Sequence, residues 1–118
     1  MNFNVGTQSF DMKEVINRLH PPVIRVKACM PNKGVLLRGR ILTETDGQVE
    51  EYEPGSEDAP RHVLIEDCDT DNENTAKVLV HGTVNSYALT VKGGTPPTST
   101  TLRALNLNGI WEINEGGL

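Results

Sequence analysis

Residues 60–89, PRHVLIEDCDTDNENTAKVLVHGTVNSYAL, restrict the fold more than any other part of the chain. Two β-branched runs, His62 to Ile65 and Ala76 to Val84, flank a polar loop carrying Asp67, Asp69, Asp71, Asn72, Glu73 and Asn74. That order predicts strand, turn, strand. In the second run Val78, Val80, Gly82 and Val84 alternate with Lys77, Leu79, His81 and Thr83, the period of two expected when a sheet buries one face. A hairpin alone is not stable in water, so the rest of the chain must supply the strands and the cover.

The material for that cover is aliphatic. With two Phe, two Tyr and one Trp, packing falls to Val, Ile and Leu, while seven Pro and eleven Gly favour a turn-rich β design over a helical bundle. At 118 residues the chain is long enough for one domain with a real core. No run has the length of a membrane span, and MNFNVGTQSF lacks the basic and apolar blocks of a signal peptide, so assembly in a cytoplasm is expected. Cys29 and Cys68 are isolated thiols, expected to be buried and reduced there. Charge is segregated: residues 1–43, 44–73 and 74–118 carry +5, −11 and +1 within the net −5. The acidic block repels phosphate backbones and argues against a nucleic-acid partner.

Taken in order, residues 1–10 are polar with Phe3, Val5 and Phe10 spaced through them, a segment expected to be mobile in the isolated protein. DMKEVINRL follows, with Asp11 able to cap a helix whose Met12, Val15, Ile16 and Leu19 share one face; His20 before Pro21-Pro22 ends it. Val23 to Ala28 reads as a strand, MPNKG as a turn, and GVLLRGRILTE as a second strand in which Gly39 marks a bulge or a close backbone approach. Asp46-Gly47 is a turn signal and EEYEPGSEDAP an acidic loop. Beyond the hairpin, Thr98 or Ser99 can cap a short helix with Leu102 and Leu105 on one side, NLNG stops it, and Ile110 to Ile113 forms a last strand. The expected fold is mainly β, a β-rich α+β domain of small sandwich or barrel-like form with two short helices. Residues 1–20 form an arm with a short amphipathic helix and residues 21–118 the β-rich domain.

Motifs for chemistry are weak. Asp67, Asp69, Asp71 and Glu73 have the alternation of a calcium loop, but Asn72 stands where the sharp turn needs Gly and Val78 where the bidentate Glu belongs; an Asx-stabilised turn accounts for the same residues. GVLLRGR lacks the Lys-Ser/Thr of a phosphate loop. His20, His62 and His81 share no spacing that would bring them to one zinc. Neither cysteine has the surroundings of a nucleophile and there is no G-x-S-x-G, so no enzyme, metal or cofactor is expected.

Ala59-Pro60 leading into Val63-Leu64-Ile65-Glu66-Asp67, then Ala76 through Asn85 to Leu89, then Leu102-Arg103-Ala104-Leu105 to Gly109-Ile110, is an order of segments that resembles the lambda-like head decoration proteins of tailed bacteriophages. The likeness covers about half of the chain. His62 stands where many relatives have Gly, and a helix-like DMKEVINRL stands where their leading arm is mostly irregular.

What the resemblance implies is a homotrimeric cementing protein on the outer surface of an expanded phage head, at threefold positions, with the major capsid protein as partner and neither nucleic acid nor membrane. Phe3, Val5 and Phe10 are then the candidate capsid-binding residues of the arm, docking as strand or helix, and Trp111, whose other reading is burial in the core, is the candidate trimer contact. A small oligomeric β-barrel adaptor of a non-viral assembly is the alternative, and a hydrolase using Asp67 or Asp69 a third reading.

Overall fold

The computed structural model describes residues 14–17 and 19–114. Its strands are β1 (Ile16–Asn17), β2 (Val23–Cys29), β3 (Val35–Leu36), β4 (Ile41–Thr45), β5 (Gln48–Glu51), β6 (His62–Leu64), β7 (Cys68–Asp69), β8 (Thr75–Asn85) and β9 (Ile110–Ile113), with one helix, α1 (Ser99–Leu107), and a 3₁₀ turn at Ser86–Ala88. The fold is β-rich, as the composition predicts. The hairpin forms as expected, with Val63 opposite Leu79 and Leu64 opposite Val78 in antiparallel register.

β8 organises everything else. It pairs with β6, β2 and β1 antiparallel and with β9 parallel. From β2 the pairing continues to β5 in parallel, then to β4, to β6 and back to β8, so five strands close a ring. Closure removes the open edges that a flat sheet would expose. The interior holds Cys29, Leu42, Val49, Leu64, Cys68, Ala76 and Val78. Outside one wall, Ile41, Val63 and Leu79 form a second core with Val84, Leu89, Val91, Leu105 and Ile110, which α1 and the segment after β8 cover.

Both faces of β8 are therefore buried, and the alternation expected along it breaks. Ile24 pairs with Leu79 but Val23 pairs with His81, so Val80 is one residue in excess, a β-bulge. An extra residue flips everything beyond it to the other face. Ala76 and Val78 point into the barrel, whereas Val84 joins Leu79 in the outer core, which corrects the expectation that Val78, Val80, Gly82 and Val84 share a face.

GVLLRGRILTE is likewise two strands rather than one. β3 pairs with β7 in a separate two-stranded sheet, β4 belongs to the barrel, and Leu37–Arg40 turns the corner between them. The close approach expected at Gly39 is real: its φ is +90° and a Cβ there would lie 1.9 Å from the Ala88 carbonyl oxygen. The acidic stretch after Asp46-Gly47 also begins as a strand. Asp46 and Gly47 have φ of 53° and 81°, the two-residue turn that suits strand twist, and β5 returns along β4 with Val49 buried.

At the N-terminal side the structure corrects the helix expected over DMKEVINRL. Ile16–Asn17 is a strand on β8, with Ile16 opposite Val84 and Asn17 opposite Thr83. The apolar stripe does not act as one face, since Val15 is 6% exposed and Leu19 71%. The C-terminal helix does form: the Thr98 hydroxyl accepts the Thr101 N–H at its start, Leu105 is buried, and Gly109 at φ +90° ends it.

Candidate functional site

Beyond the bulge, β8 leaves the barrel and becomes the centre of a three-stranded sheet with β1 on one side and β9 on the other. Two of its polar residues fasten the N-terminal segment. The Asn85 side-chain amide donates to the Glu14 carbonyl at 2.8 Å and accepts from the Asn17 amide at 2.9 Å, while the Asn85 backbone N–H donates to the Val15 carbonyl at 2.9 Å. The Thr83 hydroxyl donates to the Asn17 carbonyl at 2.6 Å. Asn85 and Thr83 are both buried, so these bonds are protected from competing water. Val15 sits in the outer core and Ile16 packs against it. Residues 14–17 are thus tied directly to β8, the longest strand of the fold.

On the outward face of the same sheet, Asn17, Thr83 and Trp111 lie in one row across the three strands. Trp111 is not a core residue: 38% of its surface is exposed. Its ring meets two imidazoles edge-on, His81 at 5.3 Å and His20 at 5.8 Å between centroids. The two histidines meet each other, Nε2 to Nε2, at 3.2 Å. Nothing in their spacing of 61 residues announces this. It follows from the pairing of Val23 with His81, which brings the end of the Pro21-Pro22 segment alongside β8, and from the parallel addition of β9.

His62 is elsewhere. It points from β6 toward β4, where its Nε2 lies 2.7 Å from the Glu44 carboxylate, and Lys27 of β2 reaches the same carboxylate oxygen at 3.3 Å. Burial holds the His62 imidazole below its ordinary value of 6.5, although Glu44 pulls the other way. The geometry explains the direction. With Nε2–H donated to Glu44, Nδ1 is buried without a partner, and protonating the ring would bury an unpaired N–H there. Glu44 is held below its ordinary carboxylate value, first by the His62 hydrogen bond, which outweighs the opposing cost of burial.

The acidic loop takes the Asx form. Asp69 accepts from the Asp71 backbone N–H at 3.1 Å and from the Asn72 amide at 2.7 Å, its own N–H donates to Glu73 at 2.7 Å, and Asp67 accepts the Arg38 N–H at 2.9 Å. These carboxylates shape the loop that carries β7. Cys29 and Cys68 are both buried and unbridged inside the barrel, with their sulfurs 4.0 Å apart. Burial, with Cys29 beside it, pushes the Cys68 thiol up to about 12, so Cys68 is held as the neutral thiol at neutral pH. Among the described residues no group of three or more His, Cys, Asp or Glu is arranged to hold a metal ion.

The candidate arm residues Phe3, Val5 and Phe10 lie outside the described residues. Trp111 is described, and it stands on the surface two strands from the point where the N-terminal segment is fastened. No protein-family model matches this chain, and no curated protein matches it.

Proposed function

We propose that this protein decorates the head of a tailed bacteriophage: it binds the outer surface of the expanded shell as a homotrimer at threefold positions and strengthens it. Residues 1–10 engage the major capsid protein through Phe3, Val5 and Phe10, and Trp111 contributes to contacts between protomers. The segment resemblance set out above motivates the assignment, and one structural observation supports it best. Residues 14–17 are fastened by Asn85 and Thr83 to β8, the strand whose earlier half forms part of the barrel wall. A cementing protein needs that connection, because a load applied to a capsid-bound arm must pass into a rigid body rather than into a loose linker.

Three arms on one trimer act together, so contacts that are weak singly become durable through effective concentration. The test is to mix the full chain, and a variant lacking residues 1–10, with expanded undecorated heads of its own phage. The proposal expects the full chain to bind and the variant to lose binding while keeping the circular dichroism of the folded barrel. A truncated protein that decorates heads with unchanged affinity overturns the role of the arm. A trimer that protects its arm from protease with no head present points instead to arm exchange between subunits of an adaptor.

A further inference from the structure

The pair His20–His81 is absorbed neither by the barrel nor by the capsid-binding role of the arm. Two neutral imidazoles can face each other Nε2 to Nε2 in two ways. One ring keeps its Nε2 proton and donates it to the other, or both carry their protons on Nδ1 and a cation sits between the two lone pairs. For metal–nitrogen bonds of about 2.0–2.1 Å at a tetrahedral centre, ligand nitrogens stand about 3.3 Å apart. The 3.2 Å separation of these two atoms meets that requirement with almost no movement.

The rings are also held in place. His20 is followed by Pro21-Pro22, whose fixed φ limits the backbone beside it. A Cβ at Gly82 would come within 3.2 Å of the Pro22 backbone, so that segment lies closely on β8. His81 occupies space that only glycine leaves open: a Cβ at Gly109 would sit 2.6 Å from its Nδ1. Trp111 packs edge-on against both imidazoles and restricts their rotation.

We propose that His20 and His81 form a surface site for a borderline first-row divalent cation such as zinc, nickel or copper. Imidazole suits these ions, and the two Nε2 atoms supply two ligands while water completes the shell on the exposed side. On binding, the ring that held a proton on Nε2 carries it on Nδ1 instead, or releases it to solvent if Nδ1 already bears one. No oxidation or reduction is involved.

Trp111 provides the readout, because it is the one tryptophan of the chain and its ring centroid lies within 5.8 Å of both imidazoles. Nickel(II) titrated into tag-free full-length protein should quench its emission to a plateau at one ion per chain. A chelator should restore the emission, and diamagnetic zinc should compete the quenching away. His20→Asn, at an exposed position, should weaken the apparent affinity at least about tenfold. In the unmodified protein, zinc should move the Nε2 resonances of His20 and His81 together and leave those of His62 in place. Quenching that never saturates, a His20→Asn protein that binds as well as the original, or zinc shifts that miss either ring would each overturn the site.

Discussion

Gly39 passes so close to Ala88 that a Cβ at residue 39 would lie 1.9 Å from the Ala88 carbonyl oxygen. The contact joins the corner between β3 and β4 to the 3₁₀ turn after β8, and hydrogen bonds from Gly39 N–H to Leu64 and from Thr90 N–H to Gly39 lock it. Two elements far apart in sequence are thereby held to one backbone geometry. Gly39→Ala meets both the steric clash and an unfavourable φ of +90°, so it should lower stability by at least about 3 kcal/mol or prevent folding. Gly47→Ala shares the positive φ but has open space around it, so it should cost only about 1 kcal/mol. Urea unfolding of the two variants makes the comparison, and equal losses would contradict the close approach.

The His62–Glu44 pair gives the fold an acid limit. Both groups have folded-state values below their ordinary ones, 6.5 and 4.5, so in the window just below each ordinary value the unfolded chain binds more protons than the folded one. Stability is then fully present above the ordinary histidine range, falls as pH drops through it, and falls again below the ordinary carboxylate value. His62→Gln should remove the first of these losses, leaving stability flatter between neutral pH and the carboxylate range. Denaturant midpoints measured across pH check this, and superimposable curves for the two proteins would contradict it.

Asn85 should be the residue on which fastening of the N-terminal segment depends. Asn85→Ala deletes the side-chain bonds to the Glu14 carbonyl and to Asn17 in a buried setting, at a cost of about 1–3 kcal/mol. The cost should be local, with amide exchange at Val15 and Ile16 accelerated far more than at Val63 or Val78. Uniform acceleration across the barrel would show that the bonds serve global stability instead.

What the sequence shows well is whatever is decided within a few residues. The Asp46-Gly47 turn, the Thr98 cap, the Gly109 stop and the β9 strand all stand where local chemistry puts them. Gly39 was legible as an exception without its partner being legible, because Ala88 reaches it only through the tertiary fold. The bulge at Val80 is invisible in a run that alternates cleanly on paper, and it decides which core Val84 enters. Val15, Ile16 and Leu19 have helical spacing, yet pairing with Thr83 and Val84 and the bonds from Asn85 outweigh a weak local preference. The meeting of His20, His81 and Trp111 depends on a bulged antiparallel pairing and a parallel one, which no spacing rule encodes.

The central claim is binding to the phage head, and sedimentation tests it most directly. Purified protein is spun alone and then with expanded, undecorated heads of its own phage, and stoichiometry is read from the bound fraction. Decoration predicts saturable co-sedimentation in multiples of three copies at the threefold positions. A stable monomer that never sediments with those heads would contradict the account.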